Sequence, residues 1–144
     1  NDLIVIAVPS SSLHDCLLKI KKINIGNLQV LCATKGLDSK AGLRMSEVIE
    51  REIEIQYSAS ISGPNLSAEI NKSLPSATVV ASSNHTFATK IQNTLHSDRF
   101  RVYVSDDLIG VELGGAGVCN PLKSACARVR PGRKRWLYNR LYSH

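Results

Sequence analysis

The sequence predicts a doubly wound α/β fold with a parallel sheet, and three observations carry that expectation. Apolar, β-branched runs of strand length recur along the first 116 residues. Stretches with helical spacing separate them. Pro9, Gly36 and the Gly63-Pro64 pair punctuate the ends of the first three runs, where a strand must stop and turn.

The elements follow in order. Leu3 to Val8 (LIVIAV) is a continuous apolar run, suited to a strand covered on both faces, and Pro9 ends it by removing a backbone donor. Ser10 to Ser12 can cap a helix with Leu13, Leu17, Leu18 and Ile20 near one stripe, and Lys19, Lys21 and Lys22 suit its C-terminal end. Leu28 to Ala33 (LQVLCA) repeats the strand signature and leads through Thr34-Lys35-Gly36-Leu37 to a helix around Met45 to Glu52. Gln56 to Ile61 is a weaker strand entering the turn Ser62-Gly63-Pro64-Asn65, after which a short helix runs to Ile70. Ala77 to Ala81 is a strand, and Ser83 or Asn84 caps a helix with Phe87, Ile91 and Leu95 four residues apart. Phe100 to Val104 alternates faces as a strand, and Asp106 then caps a last helix, Leu108 to Leu113.

Composition bounds what such a chain can be. With 144 residues, 43% of them hydrophobic, it is sized for one domain. No apolar run approaches the roughly 20 residues of a membrane span, and the apolar start lacks the flanks of a signal peptide, so the expectation is a cytoplasmic chain without a membrane partner. The four cysteines, at positions 16, 32, 119 and 126, have neither metal-ligand spacing nor the density of a disulfide scaffold. His14, His85, His96 and His144 share no spacing with cysteines or carboxylates, and no metal site is expected. The net charge of +6 is unevenly spread: residues 1–116 hold 11 basic and 12 acidic side chains, whereas residues 117–144 hold 7 basic and none acidic. The composition breaks after Ala116, which divides the chain into a domain, 1–116, and a divergent basic tail, 117–144.

In a sheet of this kind ligands bind beyond the carboxyl ends of the parallel strands. Three loops qualify: Val8-Pro9-Ser10, Ala33-Thr34-Lys35-Gly36 and Ser62-Gly63-Pro64-Asn65. Lys35 supplies a mobile cation, Gly36 and Gly63 allow backbone to approach a ligand, and Asn65 offers a donor and an acceptor. Each feature has a plain alternative, since a lysine after a strand is commonly a solvated charge and Gly-Pro commonly only a turn. The fingerprint G-x-G-x-x-G does not occur; Gly114, Gly115 and Gly117 cluster inside a helical pattern rather than after a strand.

Five segments, in order and spacing, resemble the NAD(P)-dependent glycerol-3-phosphate dehydrogenases of the bacterial and plastid type: Asp2 to Ser10, Ala33 to Leu37, Ser62 to Ile70, Leu74 to Ser82 and Phe100 to Ala116. The resemblance covers nearly all of residues 1–116. It implies a Rossmann-like sheet and an enzyme interconverting sn-glycerol 3-phosphate and dihydroxyacetone phosphate, with NAD or NADP as hydride carrier, in the supply of glycerol 3-phosphate for phospholipids. By carry-over, Lys35 resembles a lysine touching both substrate and cofactor. Gly63 and Asn65 resemble substrate contacts, and Pro9 and Ser67 positions beside the cofactor. Asn65 stands where the family commonly has Ser or Thr, and Ser67 where it commonly has Ala.

The departures shape the remaining expectations. The family's Gly-rich first βα unit has no counterpart in the sequence given. The family's general-base lysine follows Gly-Gly-Ala and one apolar residue, but here Gly117 and Val118 take those positions, so no catalytic residue is assigned. Lys123 stands five residues too late for the role. The expectation is therefore an inactive partial chain, with residues 117–144 arising from a short deletion and a change of reading frame. An open first strand edge predicts poor solubility. Two alternatives stay open: a nucleic-acid or anionic-surface module built on Arg128 to Trp136, and a non-catalytic interaction domain on the same scaffold.

Overall fold

The computed structural model describes residues 3–23, 26–63, 70–72 and 74–117. Strands β1 (Leu3–Ile6), β2 (Leu28–Cys32), β3 (Ile55–Ser62), β4 (Ser76–Ala81) and β5 (Phe100–Ser105) form one sheet in the order β1-β2-β3-β4-β5. Helices α1 (Leu13–Ile23), α2 (Met45–Glu52), α3 (His85–Leu95) and α4 (Leu108–Gly117) complete the described elements, with a 3₁₀ turn at Ser10–Ser12 running directly into α1. Three strand pairs are parallel, and β3–β4 is antiparallel. Nothing in the side-chain pattern of Ala77 to Ala81 encodes strand direction. β4 starts beyond the edge where β3 ends and runs back beside it, pairing Ser62 with Val79 and Ser60 with Ala81.

Strand periodicity sorts the two layers. Ile6, Leu28, Val30 and Cys32 face α1 and α2, and they are buried with Leu13, Leu17, Met45, Val48 and Ile49. On the opposite face Leu31, Ala59, Val80 and Val102 pack under Phe87, Ala88 and Ile91 of α3, and Tyr57 meets Phe87 with ring centroids 5.6 Å apart. The spacing of Phe87 and Ile91 thus places its helix as expected, and Asn84 supplies the cap, its Oδ1 accepting from the Phe87 amide at 2.9 Å.

Helix α4 lies on the α2 side, over Val79 and Ala81, with Val111 as its buried anchor. Beneath it β3 presents Ser58, Ser60 and Ser62, residues small enough for a helix to come close. The expected cap of this helix shifts by one residue. Asp107, not Asp106, accepts from the Gly110 amide, at 3.0 Å, because Asp106 is turned toward His85, 2.8 Å away. Among the described strands β1 pairs only with β2, and Val5 is 56% exposed. No helix among the described residues is long and apolar enough to cross a membrane.

Candidate functional site

Because β1, β2 and β3 are parallel neighbours, their carboxyl ends lie at one edge of the sheet, and the three loops singled out by position leave from it. They are joined to one another. The Ala33 amide donates to the Ile6 carbonyl at 2.8 Å, and the Thr34 hydroxyl to the Val8 carbonyl at 2.9 Å, which fixes the β2 loop against the segment containing Pro9. Lys35 Nζ donates to the Gly63 carbonyl oxygen at 2.9 Å, which ties the β2 loop to the end of β3. Pro9, Lys35 and Gly63 are therefore brought to the same edge. Asn65 and Ser67 lie outside the described residues, as do Val118 and the basic segment Arg128 to Trp136.

The two glycines meet different backbone requirements. Gly36 has φ +119°, a conformation that side-chain-bearing residues rarely adopt, and it turns the chain beside Ser10. A Cβ on Gly63 would stand 2.9 Å from the Ala77 carbonyl oxygen and 3.0 Å from Thr78 Cα. The missing side chain at Gly63 is thus a requirement of close packing against β4. That packing leaves the Gly63 carbonyl directed at Lys35.

Beyond Gly36 the β2 loop closes on itself. Leu37 and Arg44 form an isolated antiparallel bridge, and the Asp38 amide donates to the Leu43 carbonyl at 2.8 Å. The Asp38 carboxylate accepts from the Ala41 amide at 2.7 Å and the Lys40 amide at 3.2 Å, with His14 Nε2 at 3.2 Å. The Ala41 amide first, and then the His14 ring, hold its carboxyl below the usual aspartate range.

Arg44 occupies the N-cap of α2, where its side chain has no acceptor to offer. Two carboxylates take over that task. Glu47 accepts from the Arg44 amide at 3.0 Å, which holds its own pKa down. Glu112, from α4, accepts from the Ser46 amide at 3.0 Å and the Ser46 hydroxyl at 2.7 Å, and pairs with Arg44 Nη1 at 2.9 Å. Its side chain is only 5% exposed. Cys32 lies close by, and its thiol is pushed up to about 11, chiefly by burial, with the Glu112 charge adding to the effect. Glu112 is not among the residues that strand-end position or motif singles out. The signal was there, since it is the one ionisable residue in the otherwise apolar and glycine-rich run LIGVELGGAG. Among the described residues no group of three or more His, Cys, Asp or Glu is arranged to hold a metal ion.

The arrangement has known relatives. Residues 1–88 match the family described as NAD-dependent glycerol-3-phosphate dehydrogenase N-terminus. A glycerol-3-phosphate dehydrogenase, NAD(P)+, of Acinetobacter baumannii strain SDF is 44% identical over 116 residues, covering 80% of this chain and 32% of the relative. The crystal structure of glycerol-3-phosphate dehydrogenase from Coxiella burnetii superposes with a TM-score of 0.70 at 39% identity, over 78% of this chain and 34% of that one. A Plasmodium falciparum glycerol-3-phosphate dehydrogenase, with TM-score 0.75 and 24% identity over 80% of this chain and 33% of its own, shares the fold. The chain spans about a third of the length of the curated relatives it matches. On its sequence match, its mainly parallel sheet and its strand-end loops, the chain belongs to the NAD-dependent glycerol-3-phosphate dehydrogenase family, in the N-terminal part.

Proposed function

We propose that this chain carries part of the site at which a nicotinamide dinucleotide and sn-glycerol 3-phosphate meet, in an oxidoreductase that forms dihydroxyacetone phosphate and reduced cofactor in the cytoplasm. The product of the reverse direction, glycerol 3-phosphate, would feed phospholipid synthesis. The observation that carries the reading is the Lys35–Gly63 bond of 2.9 Å at the carboxyl edge of three parallel strands. The names of the relatives at 44% and 39% identity support it.

The residues fit the two ligands in a definite way. An ammonium has three donors, and the Gly63 carbonyl takes one, so Lys35 can keep its place while two remain for a phosphate or hydroxyl oxygen. Its cation meets the ligand where the strand ends present backbone groups, and Gly63 and Asn65 complete the substrate side. Pro9, whose loop Thr34 holds, shapes the cofactor side together with Lys35 and Ser67. The nicotinamide, when bound, takes up or releases hydride. Orientation and charge are what these residues contribute, and none is assigned the proton transfer.

The division at residue 116 belongs to the same proposal: 1–116 is cofactor-domain chain, and 117–144 is a basic tail of separate origin. With Gly117 and Val118 in place of a lysine, the chain alone does not turn over, because loss of a proton-transfer group costs about 10² to 10⁴ in rate. The test is direct binding. Titration of the 144-residue chain with sn-glycerol 3-phosphate, followed by nuclear magnetic resonance, should shift the amides of residues 33–36 and 63, and the shifts should vanish in Lys35→Ala. Saturable binding that Lys35→Ala leaves intact overturns the assignment.

A further inference from the structure

The bond between Lys35 and Gly63 joins the β2 loop to the end of β3, so it depends on how those two segments are held relative to each other. Glu112 stands behind both. On one side its carboxylate grips Arg44 and Ser46, at 2.9 Å from Arg44 Nη1 and 3.0 Å from the Ser46 amide. Arg44 is bridged to Leu37, and Leu37 is two residues from Lys35. On the other side α4 continues from Glu112 for one turn to Gly115, which is buried against Ser62, the residue before Gly63. That contact is so close that any side chain at Gly115 would overlap the Ser62 side chain.

We infer that Glu112 is a positioning residue for Lys35, holding the β2 loop and the end of β3 at the separation the Lys35–Gly63 bond needs. The inference rests, for its ligand, on the substrate reading of Lys35 above. It does not rest on that reading for its geometry. A buried carboxylate 66 residues away in sequence is a costly way to cap α2, since Ser, Thr, Asp or Asn at position 44 would do so locally. What the remote carboxylate adds is a connection between α4 and the loop that a local cap does not make.

Each alternative cause of the same contacts predicts a different response. If Glu112 only stabilises the fold, its loss acts on the whole molecule, and any change of equal size elsewhere acts alike. If it positions Lys35, its loss acts selectively on Lys35. Glu112→Gln keeps an acceptor for the Ser46 amide while removing the charge opposite Arg44, which retains Glu47 as a partner at 3.2 Å. Asn84→Ala, which removes the cap of α3 on the other face of the sheet, serves as the comparison for general destabilisation.

The experiment measures reductive methylation of each lysine by peptide mass spectrometry in the 144-residue chain, with the exposed Lys19 and Lys72, which lie outside α3, as internal references. In Glu112→Gln, Lys35 should label at least about threefold faster relative to the references, as its bond to Gly63 opens more often. Asn84→Ala should leave that ratio unchanged. Binding of sn-glycerol 3-phosphate should weaken about tenfold in Glu112→Gln and stay near wild type in Asn84→Ala. An unchanged Lys35 ratio in Glu112→Gln, or an equal rise in both variants, overturns the positioning role. So does faster labelling with undiminished affinity. If the unmodified chain binds no glycerol 3-phosphate, the proposed function fails by itself, and the labelling ratio still decides whether Glu112 positions Lys35.

Discussion

Lys35 and Gly63, 28 residues apart, meet through a single hydrogen bond of 2.9 Å that spans the ends of two parallel strands. The bond is exposed, so its net worth to folding is small, about 1 kcal/mol or less. Its value lies in placing a cation. Lys35→Met should therefore shift the urea midpoint only slightly while abolishing binding of sn-glycerol 3-phosphate. A large loss of stability with binding retained would reverse this view of the residue.

Gly63 makes the opposite prediction. A methyl group there meets backbone, at 2.9 Å from the Ala77 oxygen and 3.0 Å from Thr78 Cα, and neither atom can swing aside as a side-chain tip can. Gly63→Ala should destabilise the chain by about 1–3 kcal/mol, the usual cost of overpacking, as measured by the denaturant midpoint. An alanine variant as stable as the parent would mean that β4 yields at this point.

Much of the fold was legible in the sequence because each signal was local. Leu3 to Val8 ends at a proline, and Phe87, Ile91 and Leu95 repeat at one turn of helix, so each element announces itself. Strand direction is not local. The antiparallel return of β4 follows from where the chain after Ser62 re-enters the sheet, and no residue of Ala77 to Ala81 carries that information. The same distinction holds for the site. Lys35 and Gly63 could be placed together because both follow parallel strands. The role of Glu112 depends on a contact across 66 residues, and its only trace in the sequence was a charge where a helix should be apolar. Adjacent carboxylates also defeat local reading: Asp106 and Asp107 are equivalent as caps until His85 claims the first.

Acid should loosen the loop that carries Lys35. The carboxyl of Asp38 is held below its ordinary 3.8 by the Ala41 amide and His14, and that of Glu47 below 4.5 by the Arg44 amide. A folded-state pKa below the unfolded value gives stability that is present above the unfolded value and lost as pH falls through the folded one. Protection of the amides of residues 40, 41 and 44, taken relative to intrinsic exchange at the same pH, should therefore fall below about pH 4, ahead of the core strands. Asp38→Asn should show fast exchange at residues 40 and 41 already at neutral pH. A uniform fall in protection across the sheet and the loop would show instead that the loop has no separate acid response.

Cys32 provides the alkaline counterpart. Its thiol is 1% exposed in the core beneath α1 and α2, and burial pushes its pKa from 9.0 up to about 11, with a contribution from the Glu112 charge. The folded thiol thus holds its proton where the unfolded one has released it. By linkage the resulting stability is complete below pH 9 and is lost as pH rises toward 11, a decline approaching about 3 kcal/mol for a shift of this size. Other groups ionise in the same range, so the informative comparison is with Cys32→Ala, whose stability should start lower, because a buried side chain has been cut back, and fall less steeply between pH 9 and 11. The same burial governs reactivity, since only the thiolate attacks a disulfide reagent. With Cys119 and Cys126 replaced by serine, Cys16, which is partly exposed on α1, should react at pH 8 without waiting for the chain to open. Cys32 should react only at the rate at which the sheet opens. A Cys32 that labels as fast as Cys16 in the folded chain would place the end of β2 in contact with solvent, and the tie between α4 and the Lys35 loop could not then be as firm as the Glu112 geometry requires.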